Sequence, residues 1–278
     1  QGAHSTAVEL FEEAIGLFEQ TEQLEYLART LGALGQCQSW LSKPELGASS
    51  HRRALKIFEE LGNEALVGRS HELLVGCMFD LGADDQAIEH AEAALESAKK
   101  QGNMRLEAAT RNELGIIYRS HGDYEQALEQ FHKSAQLYEP LSEVNFLVVH
   151  HNIGVVALYQ QDISRARGHL EPSYDRLREL EQRWILPELI ASMICLTAAE
   201  QNWEAWDTYL AELDEVSGVE TTSQVVAKMM MRAAELALAA DESAHARHCL
   251  YIALSHYQRL GATLHVHEIR DILDKMIP

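Results

Sequence analysis

The chain has 278 residues, 46% of them apolar and 24% charged, and carries a formal net charge of −20. That balance speaks against nucleic acid as a direct partner, since phosphate contacts need clustered Lys and Arg, and it favours a well-solvated surface that would suit a basic partner. The longest apolar runs, such as residues 146–150 and 229–231, are far too short to cross a bilayer, and the absence of low-complexity runs or composition breaks argues against a second domain or a long linker.

The chain repeats itself. Ala14, Ala54, Ala94, Ser134, Ser173, Leu213 and Ala253 are separated by 40, 40, 40, 39, 40 and 40 positions. Seven residues before each stand Ala7, Gly47, Ala87, Ala127, Ala166, Trp206 and Ala246. A period in this range predicts stacked helical units rather than a globule around one closed core.

In chain order, residues 1–27 form a partial unit. Aligning its start with residues 121–127 puts Gln1 in the turn between two helices, so the first helix is missing. With no initiator Met and no targeting stretch, the chain is expected to be a fragment of a larger protein. Complete units follow at 28–67, 68–107, 108–146, 147–186, 187–226 and 227–264, and residues 265–278 form a lone capping helix with Val266, Ile269, Leu273 and Ile277 inward. The whole of 1–278 is thus expected to be one repeat domain.

Turns within units are expected at residues 42–45, 82–85, 161–162, 201–202 and 240–241. Pro44 suits a first helical turn, where its missing N–H leaves nothing unpaired. Gly62-Asn63 and Gly102-Asn103 read as a helix C-terminal glycine followed by the next N-cap. Asp123 is placed to cap the helix after it, and Thr221 with Gln224 forms a candidate capping box. The sixth unit departs most, with Ile194, Trp206 and Leu213 where small residues are expected, so its packing should be locally wider. Trp203 and Trp206 fill that gap, and Trp184 is expected to pack in the longer connection before them.

The best-formed unit begins at Ala108. Leu114, Gly115 and Tyr118 share one face of its first helix; Tyr124, Ala127, Leu128, Phe131, Ser134 and Tyr138 recur at helical spacing in its second. These residues resemble the tetratricopeptide repeat, with Gly115, Tyr118, Ala127 and Phe131 at the family's signature small and aromatic positions. Ser134 replaces the usual alanine and Pro140 comes one place late. Gly35 and Gly154 fall where Gly115 does, with Ala234 as a substitute. The resemblance implies an all-α, right-handed superhelical solenoid of helix-turn-helix repeats, with about fourteen helices counting the C-terminal cap. A forty-residue period is similar to the longer bacterial variants found in transcription regulators, signalling kinases and ATPase switches.

The resemblance also implies that first helices line a concave face through the second, fifth, sixth, ninth, twelfth and thirteenth positions of each unit. Carried over, this selects Arg69, Glu72, Asn112, Glu113, Arg119, His151, Asn152 and Tyr159 as the principal groove, with Arg29, Gln36, Trp40, Lys228, Arg232 and Glu235 as secondary candidates. Asn112 and Asn152 offer an amide that both donates to and accepts from a peptide backbone, and Arg29 and Arg69 share a position from which a basic ladder would meet carboxylates.

Little in the chain points to chemistry. There is no phosphate-binding glycine loop, no Cys-x-x-Cys pair and no nucleophile elbow. His71-Glu72 and His267-Glu268 begin like a zinc-protease motif, but Val75 and Asp271 stand where its second His would be. His245, His248 and Cys249 cluster at helical spacing without an identifiable fourth ligand, so no metal is expected. His150 and His151 lack a partner nucleophile or acid; His151 is expected on the inner surface and His150 inside the unit. Cys37, Cys77, Cys195 and Cys249 read as small buried apolar residues of a reducing compartment. No catalytic residue and no cofactor is expected. The expected function is a non-catalytic, cytoplasmic protein-interaction or scaffold module of a bacterial signalling or regulatory protein, binding a peptide or protein partner in the groove. The alternative is a sensor domain for a peptide or small-molecule effector that controls an attached effector domain. Self-association is left open.

Overall fold

The computed structural model describes residues 2–216 and 223–276. Among them are fourteen α-helices and no strand. They are α1 (Gly2–Gln20), α2 (Leu24–Trp40), α3 (Pro44–Glu60), α4 (Glu64–Asp80), α5 (Asp84–Gln101), α6 (Met104–Ser120), α7 (Tyr124–Tyr138), α8 (Glu143–Tyr159), α9 (Ile163–Glu179), α10 (Leu186–Ala199), α11 (Trp203–Val216), α12 (Gln224–Ala239), α13 (Ser243–Arg259) and α14 (Thr263–Lys275). A lone helix, six antiparallel pairs and a last single helix are what the forty-residue period requires.

The helices gather into two compact units, Gln1–Phe146 and Leu147–Pro278. In the first, each helix from α1 to α6 packs on its successor, and the first helices α2, α4 and α6 also touch one another in that order. In the second, α9 packs on α10, α10 on both α11 and α12, α12 on α13, and α13 on α14.

The repeated small positions are the crossing points. Ala54, Ala87, Ala94, Ala127, Ala166, Ala246 and Ala253 are all buried, as are Ser134 and Ser173. Ser134 shows how a hydroxyl survives there: its Oγ donates to the Ala108 carbonyl at 2.7 Å, so no polar group is left unpaired. Trp206 and Leu213 of the sixth unit are buried with them, and Ile194 and Leu210 fill the same layer.

The crossing also explains the glycines. A Cβ added to Gly115 would lie 2.5 Å from Phe131, one on Gly154 2.7 Å from Leu170, and one on Gly35 2.7 Å from His51. In each case the residue sixteen positions later, on the second helix, occupies the space a side chain would take. Only a backbone without Cβ permits that approach.

Helix ends recur about every twenty residues, and most described ones, though not that of α7, are marked by a left-handed residue. Glycine holds this place at Gly62, Gly82, Gly102, Gly122 and Gly261, whereas Glu22, Ser42, Gln161, Glu181, Gln201 and Asp241 hold it at φ between 53° and 61°. Around Gly62 the amide of Gly62 donates to Glu59 and that of Asn63 to Phe58, closing a Schellman-type end. Asn63 and Asn103 then cap α4 and α6 by accepting from Leu66 and Leu106, and Pro44 opens α3.

Several expectations change. Asp123 stands at the N-cap of α7, but its side chain makes no capping bond; its ψ is 63°, against 77° to 84° at Asn63, Asn103 and Asp162, where the side chain does cap. Thr221 lies outside the described residues, and Ser223 caps α12 by accepting from Val226. Trp184 is not packed away but 64% exposed. In α14, Ile269 is fully buried with Val266 and Leu273 partly so; Ile277 lies outside the described residues. No described helix is long and apolar enough to cross a membrane.

Candidate functional site

Successive positions of an α-helix turn through about 100°, so the positions selected from the repeat frame fall on one face of each first helix. In the first unit α2, α4 and α6 stand side by side, and these faces enclose a cavity of about 250 Å³. Gln36 and Trp40 line it from α2, Arg69, Glu72 and Asp80 from α4, and Glu113 from α6; His51 reaches it from α3. Five sequence-selected residues (Gln36, Trp40, Arg69, Glu72 and Glu113) thus meet in one place.

The electrostatics are dominated by carboxylates. Arg69 donates to Glu72 on its own helix. Burial raises the Glu72 carboxyl above its usual range, with the Arg69 charge opposing. Glu113 keeps part of its side chain at the surface, yet desolvation pushes its carboxyl up to about 7, helped by the neighbouring charges of Glu72 and Asp80 and opposed by a hydrogen bond with Asn112 and by Arg119. Tyr138 feels the same field: burial, then Glu72 and Glu113, push its phenol up to about 12. His51 is driven the other way, to about 4, by burial and then by Arg69, so its imidazole is neutral at pH 7.

His51 is 1% exposed, and its Nδ1 has no hydrogen-bond partner. A buried polar atom in that condition is uncommon, because losing its water goes uncompensated.

The basic ladder expected from Arg29 and Arg69 does not form as a pair of available cations. Arg29 is held by Glu25 through two bonds of 3.0 and 2.9 Å, and Arg69 by Glu72; each guanidinium is partnered on its own helix. Arg29 lies away from the cavity lining.

In the second unit the selected residues behave differently. His151 is buried rather than presented on a surface, with its Nε2 2.8 Å from Ser192 Oγ, and Asn152 is also buried. The reason is the composition of α8, where every residue from Val149 to Leu158 except His150 is buried, so the helix has little polar face to present. Tyr159 and Lys228 keep partial exposure. Arg232 Nη1 donates to Glu235 at 2.8 Å, while its buried Nε lacks a partner. His245 packs as a ring: it stacks on Trp203 at 4.8 Å, meets Trp206 edge-on at 4.5 Å and bonds Glu242. Among the described residues, no group of three or more His, Cys, Asp or Glu is placed to hold a metal ion.

Six lining residues (Ser39, His51, Leu73, Gly76, Cys77 and Asp80) escape the sequence-derived set, and of these Asp80 and His51 bring a further carboxylate and the imidazole. Asp80 occupies the thirteenth place of its unit, where Trp40 stands in the unit before, so the repeat frame itself carries the signal. His51 belongs to a second helix, and nothing in the first-helix frame announces it; the absent Cβ of Gly35 is what lets its ring through.

The tetratricopeptide repeat family model matches residues 66–139, covering α4 to α7 and hence two of the three cavity-forming helices. Residues 66–139 carry tetratricopeptide repeats. Within known proteins, a 65-residue stretch is 35% identical to response regulator aspartate phosphatase A of Bacillus subtilis (strain 168), and a 99-residue stretch is 28% identical to outer dynein arm-docking complex subunit 4 of Danio rerio. These stretches take in 23% and 34% of this chain but only 17% and 20% of those relatives. Among solved structures, aspartyl phosphate phosphatase F from Bacillus subtilis aligns with a TM-score of 0.75 at 15% identity, over 90% of this chain and 65% of that one. The Rap conjugation gene regulator of plasmid pLS20, in complex with the Phr* peptide, aligns at 0.71 and 16% identity, over 92% and 71%. At these identities the likeness is one of tetratricopeptide fold.

Proposed function

We propose that the chain is a non-catalytic interaction module that takes an extended peptide, or a peptide-like segment of a protein partner, along the face made by its first helices. The observation that carries this reading is the cavity between α2, α4 and α6, at which five residues chosen from the repeat frame converge. Its lining mixes an exposed aromatic, a neutral imidazole and ionised groups, which suits recognition of a side chain.

A regulatory role, with peptide binding controlling an attached effector, is the finer form of the proposal. It is supported by the fold shared with a Rap regulator bound to a Phr* peptide and with a signal-transduction ATPase bearing a tetratricopeptide repeat sensor, of which this chain covers 42%.

The test is selection of randomised decapeptides displayed on phage against the whole chain. Enriched sequences should lose at least about tenfold in affinity on Trp40→Ala, the size of effect expected when an aromatic anchor is truncated. Failure to enrich any sequence, or enriched peptides indifferent to Trp40→Ala, would contradict the reading.

A further inference from the structure

The cavity of the first unit has a chemical character that its role as part of a groove does not by itself require. Three carboxylates line it (Glu72 and Asp80 on α4, Glu113 on α6) against one lining guanidinium, Arg69, which is already bonded to Glu72. The indole of Trp40, 59% exposed, forms a wall. At its base, His51 presents a ring that is 1% exposed and whose Nδ1 has no partner. A neutral imidazole has one nitrogen able to accept a hydrogen bond.

We propose that this cavity is the receptor for one cationic side chain of the bound peptide, an arginine in preference to a lysine. The inference rests on the peptide-groove reading above and specifies what the groove selects.

Four observations converge on that occupant. Its size is right: about 250 Å³ lies below the roughly 300–1,000 Å³ of pockets that take whole drug-sized molecules, and so fits a single side chain. The charge is complementary. Glu113 is held near neutrality partly because Glu72 and Asp80 repel its ionised form, and an incoming cation would relieve that repulsion. Trp40 offers a face to a flat cation, which an arginine guanidinium stacks on better than an ammonium does. Finally, the neutral His51 ring lines the cavity with one nitrogen able to accept, and a guanidinium carries five N–H groups in a planar fork. An anionic or purely apolar occupant would leave the carboxylates and the imidazole worse off than water does. The net charge of −20 adds long-range attraction for a basic peptide without deciding where it docks.

The experiment uses the full chain and four pools of fluorescein-labelled, acetylated heptapeptides with randomised flanks. The central residue is fixed as arginine, citrulline, norleucine or glutamate, and binding is read by fluorescence polarisation at pH 7.5. Citrulline keeps the shape of arginine and removes its charge. The arginine pool should bind at least about tenfold more tightly than the citrulline pool. Asp80→Asn with Glu113→Gln should reduce that preference below about threefold, and Trp40→Ala, at an exposed position, should reduce it independently of any folding effect of the paired change. Glu92→Gln with Glu96→Gln removes two charges on α5 and should leave the preference intact, which separates the cavity from the general field. Arginine and citrulline pools that bind equally would overturn the cation inference while leaving the peptide groove standing. So would an arginine preference unmoved by both cavity variants, or a glutamate pool that binds best. Absence of binding by every pool would overturn both.

Discussion

Gly115 and Phe131 define one another: a Cβ on the glycine would stand 2.5 Å from the Phe131 ring. The same relation joins Gly154 to Leu170 and Gly35 to His51, so a single contact sixteen residues long in sequence sets the closeness of the two helices in three units. At Gly35 it does something more, because the ring it admits belongs to the candidate site.

Gly115→Ala is therefore expected to destabilise the chain. Alanine gains up to ~1 kcal/mol of helix propensity over glycine, but overpacking a fully buried ring should lose about 1–3 kcal/mol. Phe131→Leu in the same chain should recover part of the loss, so that the double variant is less destabilised than the two single losses added together. Ala127→Leu, at a fully buried crossing point on the facing helix, should lose a similar amount. Urea denaturation of the four variants checks this; additive losses, or an unaffected Gly115→Ala, would contradict the packing.

The turns make an opposite prediction at their non-glycine members. Gln201 is held at φ 56° after the first helix α10, and Gly102 at 64° after the second helix α5, both in the left-handed region. Gln201→Gly should stabilise by up to about 1 kcal/mol, since it removes the strain of a side chain in the left-handed region, while Gly102→Ala should destabilise by ~1–2 kcal/mol. Thermal unfolding followed by circular dichroism distinguishes the two directions.

His256 makes stability depend on pH. Its Nδ1 accepts from the Ser223 amide at 3.1 Å, and burial, then Arg259, lower its pKa to about 4 from an ordinary 6.5. Between those values the unfolded chain binds the proton more readily, so this contribution is full above pH 6.5 and is lost as pH falls towards 4. His256→Asn keeps an acceptor without a titrating group. Denaturation midpoints measured from pH 7 to 4.5 should fall less steeply in the variant, and parallel curves would contradict the assignment.

Glu113 has the reverse sign. Its carboxyl is raised to about 7 from 4.5 by desolvation and by Glu72 and Asp80, with Asn112 and Arg119 opposing. The folded state holds that proton more tightly, so stability is lost as pH rises from 4.5 through 7. Glu113→Gln should consequently be more stable than the parent at pH 8 and gain little at pH 4.5. Equal differences at both values would show that the Glu113 carboxyl is not perturbed.

How much of this could be read in the amino-acid order depended on the helix concerned. The number and pairing of the helices follow from small residues at forty-residue intervals, because only a close crossing demands them. That Gln36, Trp40, Arg69, Glu72 and Glu113 share one cavity was legible because α2, α4 and α6 each have a polar side whose direction the helical repeat fixes. His151 and Asn152 were misplaced because α8 is apolar almost all round, so the repeat frame there points at a face that packing covers. His51 was invisible because its position depends on contact between helices, which spacing along one helix does not encode. Asp123 was misjudged because the capping bond turns on some 15° to 20° of backbone ψ, finer than residue type can specify.

The account stands or falls on which face a peptide touches. A photo-crosslinking residue placed singly at Gln36 or Leu73, beside the cavity, and singly at Glu92, Glu96 or Lys133, on the second helices α5 and α7, can be challenged with the phage-selected decapeptides and the adducts counted by mass spectrometry. Peptide adducts should form from Gln36 and Leu73 and be suppressed by excess unlabelled peptide. Adducts concentrated at Glu92, Glu96 and Lys133 would place binding on the second helices and contradict the first-helix groove.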